Sequence, residues 1–334
     1  MNSNPLRVAS IGIGWWSNVL ADAAQRSGAL EIAACYTRSE EKRKAFANTY
    51  GCKAASSYEE ILADDSIDAI INTTPNHVHL ETTRAAAEAG KHVFLDKPIA
   101  TNVADGRRIA QICRDAGIVL ALGYQRRRES HFRWIRDRIA AGEFGAMVQA
   151  EANISRDREG KFEADSWRFQ EQGMPGGVML QIGIHYTDVL EMLLGPVKRV
   201  SGMSTQLALP GENPDVANVM MQHENGAISI LSACYASAAE YYMMNIYGRE
   251  ATAYYDMHNG LRHQKRHSDE VNPVACEDND TIAEQLTEFA DCVRNGGEPA
   301  VNGEKAVESL AVILAGVRSA KEGRVVEVAE MLAE

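Results

Sequence analysis

The sequence predicts an α/β protein in two parts. A doubly wound parallel sheet occupies residues 1–124, and an α+β part with a mostly antiparallel open sheet occupies residues 125–334. Three observations predict it. Short apolar runs alternate with helical stretches through the first part, the order of consecutive βαβ units. From Met147 onward, successive runs alternate apolar and polar residues, as strands with one covered face do. The change of character falls at Tyr124–Gln125, where a basic run begins. The last helices are left to pack back on the first part.

Composition narrows the function. A chain of 334 residues suits two domains at roughly 150 residues each. A net charge of −12 and a pI near 5.3 argue against nucleic acid and anionic membrane surfaces as partners. No apolar run approaches the ~20 residues of a membrane span. Met1–Arg7 lacks the basic-then-apolar order of a secretion signal, so a cytoplasmic location is expected. The six cysteines are scattered without a CxxC pair, which reads as reduced thiols. The ligand-like pairs His77/His79 and His185/Asp188 do not amount to a metal site, and none is assigned.

In order, Leu6–Gly14 is a strand running into glycines, followed by a helix from Trp16 to Arg26 that Gly28 stops. Gly12-Ile13-Gly14-Trp15-Trp16-Ser17 reads as a phosphate-binding fingerprint. The first glycine allows the tight turn, the second lets backbone approach a pyrophosphate, and Ser17 stands where a third glycine packs helix on strand. Glu31–Tyr36 is the second strand. No acid for ribose hydroxyls stands at its end, whereas Arg38 does, which favours NADP over NAD. Thr37-x-x-Glu40 fits a capping box for the next helix. Ala69–Thr74 is the third strand, ending in Pro75-Asn76-His77-Val78-His79 before a helix that reaches Ala89. Asn76 is placed to touch the nicotinamide ribose, and His79, a turn inside the helix, reads as a packing histidine.

His92–Leu95 is the fourth strand and the stretch that organises the chain, because it ends in Asp96-Lys97-Pro98. A lysine at the carboxyl end of a central strand opens onto the ligand crevice of such sheets. The proline fixes the local turn and raises the odds of a cis peptide to about 5%. A helix from Val103 to Ala116 and a fifth strand, Ile118–Tyr124, complete the first part.

The second part opens with Gln125-Arg126-Arg127-Arg128 and a helix from Glu129 to Ala141. Strands are expected over 147–154, 197–206, 216–222, 227–234, 241–247 and 251–256, with Asn225-Gly226 as a type I′ hairpin turn. A second subunit is the economical cover for the sheet's other face. Trp167-Arg168-Phe169 and Pro175-Gly176-Gly177 precede a helix over 178–190 that is apolar almost all round, as buried helices are. Gln181, His185 and Asp188, spaced i, i+4, i+7, form a polar stripe on one of its faces. Helices over 282–294 and 304–320 and a closing strand, Val325–Val328, end the chain.

Together these residues resemble the Gfo/Idh/MocA family of oxidoreductases, the group of glucose–fructose oxidoreductase and inositol dehydrogenase. Asp96-Lys97-Pro98 matches its Glu-Lys-Pro, and Gly176-Gly177 to Asp188 matches its Gly-Gly-…-Asp-x-Gly-x-His-x-x-Asp pattern. The resemblance implies a Rossmann domain, a C-terminal sheet used for a homodimer or homotetramer, and hydride transfer between a nicotinamide and a hydroxylated small molecule. By position, Lys97 and His185 are its catalytic pair. Tyr124, Gln125 and Gln181 line the substrate, joined by Arg126, and Trp167-Arg168 approaches cofactor or substrate. The cofactor side gathers Gly12, Gly14, Trp15, Trp16, Arg38, Thr74, Pro75, Asn76, His79, Asp96 and Lys97. Gln181 stands where sugar and inositol members commonly carry Asp; being neutral and able to donate, it points to a substrate with a carboxylate or carbonyl there. Arg126, Arg127 and Arg168 could pair with such an anion, although a run of three arginines is more often a solvated or interface feature.

The expected chemistry is oxidation or reduction at a carbinol of a sugar, polyol, sugar acid or cyclic diol. His185 exchanges the hydroxyl proton, while Lys97 stabilises charge on the same oxygen. Two alternatives stay open: glycoside hydrolysis by transient oxidation with held NAD, and a dinucleotide sensor without catalysis.

Overall fold

The computed structural model describes residues 4–161 and 166–334. The chain forms two compact units. One comprises the residues to Gln125 with Asp280–Val307, the other Arg126–Asn279 with Glu308–Glu334.

The first unit is built on six strands: β1 (Leu6–Ile11), β2 (Leu30–Tyr36), β3 (Lys53–Ala54), β4 (Ala69–Asn72), β5 (His92–Leu95) and β6 (Leu120–Leu122). Their order is β3-β2-β1-β4-β5-β6, and each neighbouring pair is parallel. The chain winds from β1 toward β3 and then from β4 toward β6, so the topological switch lies between β1 and β4. Helices α1 (Trp15–Ser27), α2 (Glu40–Tyr50), α3 (Tyr58–Leu62), α4 (His79–Glu88) and α5 (Val103–Asp115) make the crossovers. Val8, Leu20, Ile71 and Phe94 pack in one core with Leu286 and Phe289 of the helix Thr281–Asn295. The Phe94 and Phe289 rings meet edge to face at 5.9 Å.

Three local readings are corrected here. The third expected strand stops at Asn72 rather than Thr74, because the Asn72 side chain turns the chain by accepting from Thr74 N at 3.1 Å. The cap of α2 is Ser39, whose Oγ accepts from Lys42 N at 3.3 Å. Glu40 is therefore the first helical residue and not the fourth position of a box begun by Thr37. β3 and α3 went unread because two and five residues carry too little periodicity. The peptide Lys97–Pro98 is cis.

The second unit is built on nine strands. They are β7 (Met147–Asp157), β8 (Val197–Thr205), β9 (Val216–His223), β10 (Ile228–Cys234), β11 (Ala236–Gly248), β12 (Ala251–Asp256), β13 (Gly260–Lys265), β14 (Asn272–Val274) and β15 (Val326–Glu327). Their order is β14-β13-β12-β11-β7-β10-β9-β8-β15, antiparallel except for the β7–β10 pair. α6 (Ser130–Ala140) and α7 (Ile184–Leu194) also belong to this unit, while α8 is the helix Thr281–Asn295 and α9 runs over Gly303–Glu322. The sheet leaves one face with Met203, Met220 and Ile228 exposed.

Here too the structure departs from expectation. β13 and β14 were not foreseen, and the closing strand gives way after Glu327 to α10 (Val328–Leu332). The β9–β10 turn is not type I′. Asn225 does not adopt positive φ, whereas Gly226 does at 91°, and His223 N donates to Ala227 O at 2.9 Å. The loop is three residues long, the form in which a glycine takes the left-handed position. Met179–Gly183 is a π-helical turn ahead of α7, so Gln181 stands on a wider turn than His185 and Asp188, which lie on α7 itself.

Candidate active site

In the first unit, β1 ends at Gly12, whose N donates to Tyr36 O at 3.1 Å. Thr73 Oγ1 donates to Ile11 O at 3.0 Å and Gly12 O at 2.9 Å. Gly12 has φ +81°, and a Cβ there would lie 2.4 Å from Thr74 N. Gly14 is extended and caps α1, and a Cβ there would meet nothing within 4 Å. Ser17 is buried. Its Oγ accepts from Gly14 N at 2.9 Å and donates to Gly14 O at 2.7 Å, so a hydroxyl ring does the packing expected of a third glycine. One glycine is thus fixed by its neighbours, while the other faces open space at a helix N-terminus. That cradle fits a dinucleotide pyrophosphate.

The neighbouring strand ends converge on the same edge. Trp15 is exposed and packs against Trp16, which donates from Nε1 to Asp96 Oδ1 at 3.0 Å. His79, first residue of α4, is buried between two carbonyls: Nε2 lies 2.9 Å from Thr74 O and Nδ1 lies 3.0 Å from Pro98 O. Burial pushes its imidazole down to about 4, so the ring is neutral and donates to one carbonyl at a time. Pro75 and buried Asn76 lie in the same loop, and Lys97, half-buried, follows β5 between the anchored Asp96 and Pro98. Tyr124 is buried beyond β6, where Gly123 N donates to Leu95 O at 2.9 Å. At the end of β2, Arg38 is exposed. A second cation missed in the sequence stands beside it: Arg43 donates from Nη1 to Thr37 O at 2.8 Å and lies 5.6 Å from the Tyr36 ring. Its position one turn past the Ser39 cap was the available signal.

In the second unit, His185 and Asp188 are buried on α7, and Gln181 is half-buried on the π turn. Asp188 accepts twice from Arg127, at 2.8 Å from Nε and 2.5 Å from Nη2. That bidentate pair gives Arg127 a structural role, neither anion-binding nor solvated. Arg126 pairs with Glu129 at 2.8 Å and lies 4.5 Å from the Tyr242 ring. Arg168 lies 4.4 Å over Trp167, and Asn213 pins their turn by donating to Arg168 O at 2.8 Å. Lys97, Tyr124 and Gln125 lie in the first unit; Arg126, Arg168, Gln181 and His185 lie in the second.

Comparison with known proteins gives a consistent picture. Residues 6–124 match the model of an oxidoreductase family with an NAD-binding Rossmann fold, and residues 132–254 match the GFO/IDH/MocA C-terminal domain. A crystal structure from Desulfitobacterium hafniense DCB-2, ascribed to an NADPH-dependent oxidoreductase, superposes with a TM-score of 0.94 at 32% identity over 99% of both chains. Among curated relatives, a 1,5-anhydro-D-fructose reductase of Ensifer adhaerens is 27% identical, over 89% of this chain and 91% of its own. A D-xylose 1-dehydrogenase (NADP(+)) of Haloferax volcanii is 28% identical over 96% and 98%.

Proposed function

This chain belongs to the GFO/IDH/MocA family of NAD(P)-dependent oxidoreductases, and from that premise we propose that it transfers a hydride between NADP and a carbinol of a sugar or sugar acid, with Lys97 and His185 serving one substrate oxygen. The observation that carries the reading is the edge formed by the β1, β4 and β5 ends. There the open cradle at Gly14 and the half-buried Lys97 share the topological switch of one parallel sheet.

The nicotinamide, when bound, supplies the hydride acceptor or donor. The protein's own residues do the rest. Gly14 and the start of α1 hold pyrophosphate. His185, whose imidazole is the side chain suited to proton exchange near neutrality, takes the carbinol proton. Lys97 stabilises the charge developing on that oxygen. Asp96, tied to Trp16, and Pro98, tied to His79, fix the backbone on both sides of Lys97. The preference for NADP rests on Arg38 and Arg43 at a strand end that carries no acid. The exposed apolar face of the second sheet supports a homodimer or homotetramer.

The test is absorbance at the nicotinamide band across sugars, polyols, sugar acids and cyclic diols with each cofactor. Turnover is expected with NADP favoured over NAD. Lys97→Ala should abolish it while leaving dinucleotide binding largely intact. Wild-type turnover by that variant refutes the role of Lys97, and saturable binding without turnover across the panel returns the sensor reading.

A further inference from the structure

The connection between β8 and β9 spans residues 206–215 and is closed by one side chain. Asp215, buried just before β9, accepts at its carboxylate from three successive backbone N–H groups: Leu207 at 3.0 Å, Ala208 at 2.7 Å and Leu209 at 2.8 Å. Its own N–H donates to Thr205 O at 3.2 Å, and Tyr235 N donates to its carbonyl at 2.7 Å. A carboxylate satisfied in this way ties the start of the loop to its end, and the backbone bonds tie both to the sheet.

The closed loop grips a second one. The turn that presents Trp167 and Arg168 yields three successive carbonyls to it. Arg168 O accepts from Asn213 Nδ2 at 2.8 Å, Phe169 O from Glu212 N at 3.0 Å, and Gln170 O from Asn213 Nδ2 at 3.0 Å. The approach is close: Gly211 has φ +94°, and a Cβ there would lie 2.5 Å from Phe169 O. One residue after Asn213, Pro214 O accepts from Val178 N at 3.0 Å, and a Cβ on Gly177 would lie 2.3 Å from the same carbonyl. Val178 leads directly into the π turn that holds Gln181. The stretch Gly211–Asp215 therefore fastens both the Arg168 turn and the approach to Gln181.

Loop closure alone does not call for this, because Asp215 already closes the loop. Water can satisfy the carbonyls of a half-buried turn. Asn213 is buried, and its amide gives both of its hydrogens to that turn. A buried amide placed so fixes where the side chains of the turn stand. Building on the carbinol oxidoreductase reading above, we propose that Asn213 is a positioning residue for the substrate: it fixes the Trp167–Arg168 turn while its neighbour Pro214 fixes the approach to Gln181, and the β8–β9 connection thereby sets which sugar is accepted.

The experiment measures kcat and KM for D-glucose, D-xylose, D-glucuronate and myo-inositol with NADP, together with NADP Kd by tryptophan fluorescence and Tm by thermal melting. Asn213→Asp keeps the shape of the side chain and, ionised, leaves it no hydrogen to donate, whereas Asn213→Ser keeps one. In both variants kcat/KM should fall about 10- to 100-fold, and more in Asn213→Asp. The fall should lie mainly in KM for the sugar, with the ranking of the panel changed and NADP Kd within about twofold of the parent. If Asn213→Asp does not fold, Asn213→Ser decides alone. A lowered Tm with sugar KM and ranking unchanged makes Asn213 a structural residue only and overturns the proposal, as does an NADP Kd that rises in place of the sugar KM. No turnover of any panel member by the parent chain with NADP or NAD overturns the oxidoreductase reading, and the proposal falls with it.

Discussion

The two glycines of the β1–α1 turn should respond to the same substitution in opposite ways. At Gly12 an added Cβ meets backbone on three sides: Thr74 N at 2.4 Å, Thr73 C at 2.6 Å and Thr73 O at 2.7 Å. Backbone cannot swing aside, so β1 and β4 must part. The left-handed φ of +81° adds ~1–2 kcal/mol for alanine, and the overpacking adds ~1–3 kcal/mol. Gly12→Ala is therefore expected to cost about 2–5 kcal/mol, a fall of roughly 5–15 °C in Tm for a domain of this size. Gly14 is extended and meets nothing within 4 Å. Gly14→Ala should leave stability unchanged, or raise it by up to about 1 kcal/mol through the unfolded chain. The same methyl fills the space that pyrophosphate is to occupy, so dinucleotide Kd should rise at least ~10-fold, a loss of about 1.4 kcal/mol. Thermal melting and a tryptophan-fluorescence titration with NADP, on both variants, check the pair. A Gly14→Ala protein with native affinity would place the pyrophosphate elsewhere. A Gly12→Ala protein with native Tm would refute the clash.

Asp188→Asn should destabilise by about 3–5 kcal/mol in denaturant titration, because it leaves the Arg127 guanidinium buried without its carboxylate. Glu191 on α7 donates nothing to neighbours when ionised. Its Oε2 accepts from Ser309 at 2.6 Å, and burial, reinforced by Asp188 and Glu308, pushes its carboxyl up to about 8 from 4.5. A raised folded pKa means the stabilisation is complete below about pH 4.5 and lost as pH climbs to about 8, by ~1–3 kcal/mol for a half-buried group. Glu191→Gln should flatten that slope in urea titrations at pH 5 and pH 8; an identical slope would show another group responsible. Gln181→Asp should reorder substrate preference more than it changes NADP affinity, and an unchanged ranking counts against a substrate contact at that position.

The parallel sheet was legible because its strands are apolar runs closed by glycines, and β5 betrayed its own end by switching from Phe94-Leu95 to Asp96-Lys97-Pro98. What escaped was set by single side-chain bonds. Nothing in Thr37-Arg38-Ser39-Glu40 tells which hydroxyl will cap, since the choice depends on where β2 lets go of the sheet. The π turn at Met179–Gly183 was equally hidden, because an apolar helix reads the same at 3.6 or 4.4 residues per turn. His79 could be recognised as buried, but not as the bridge between Thr74 O and Pro98 O, a contact between residues 19 apart.

The basic run Arg126-Arg127-Arg128 shows the limit most clearly. In sequence it is one patch of charge. On the 3₁₀ turn Gln125–Arg128, successive side chains diverge by about a third of a turn. Arg127 therefore meets Asp188 and becomes part of the scaffold, while Arg126 meets Tyr242 and joins Arg156 from a strand 30 residues away. Residues of one type in one run thus divide between holding α7 in place and packing over the Tyr242 ring. Arg126 has a carboxylate of its own, Glu129 at 2.8 Å, so the two neighbours in one run differ in what they hold rather than in whether they are paired.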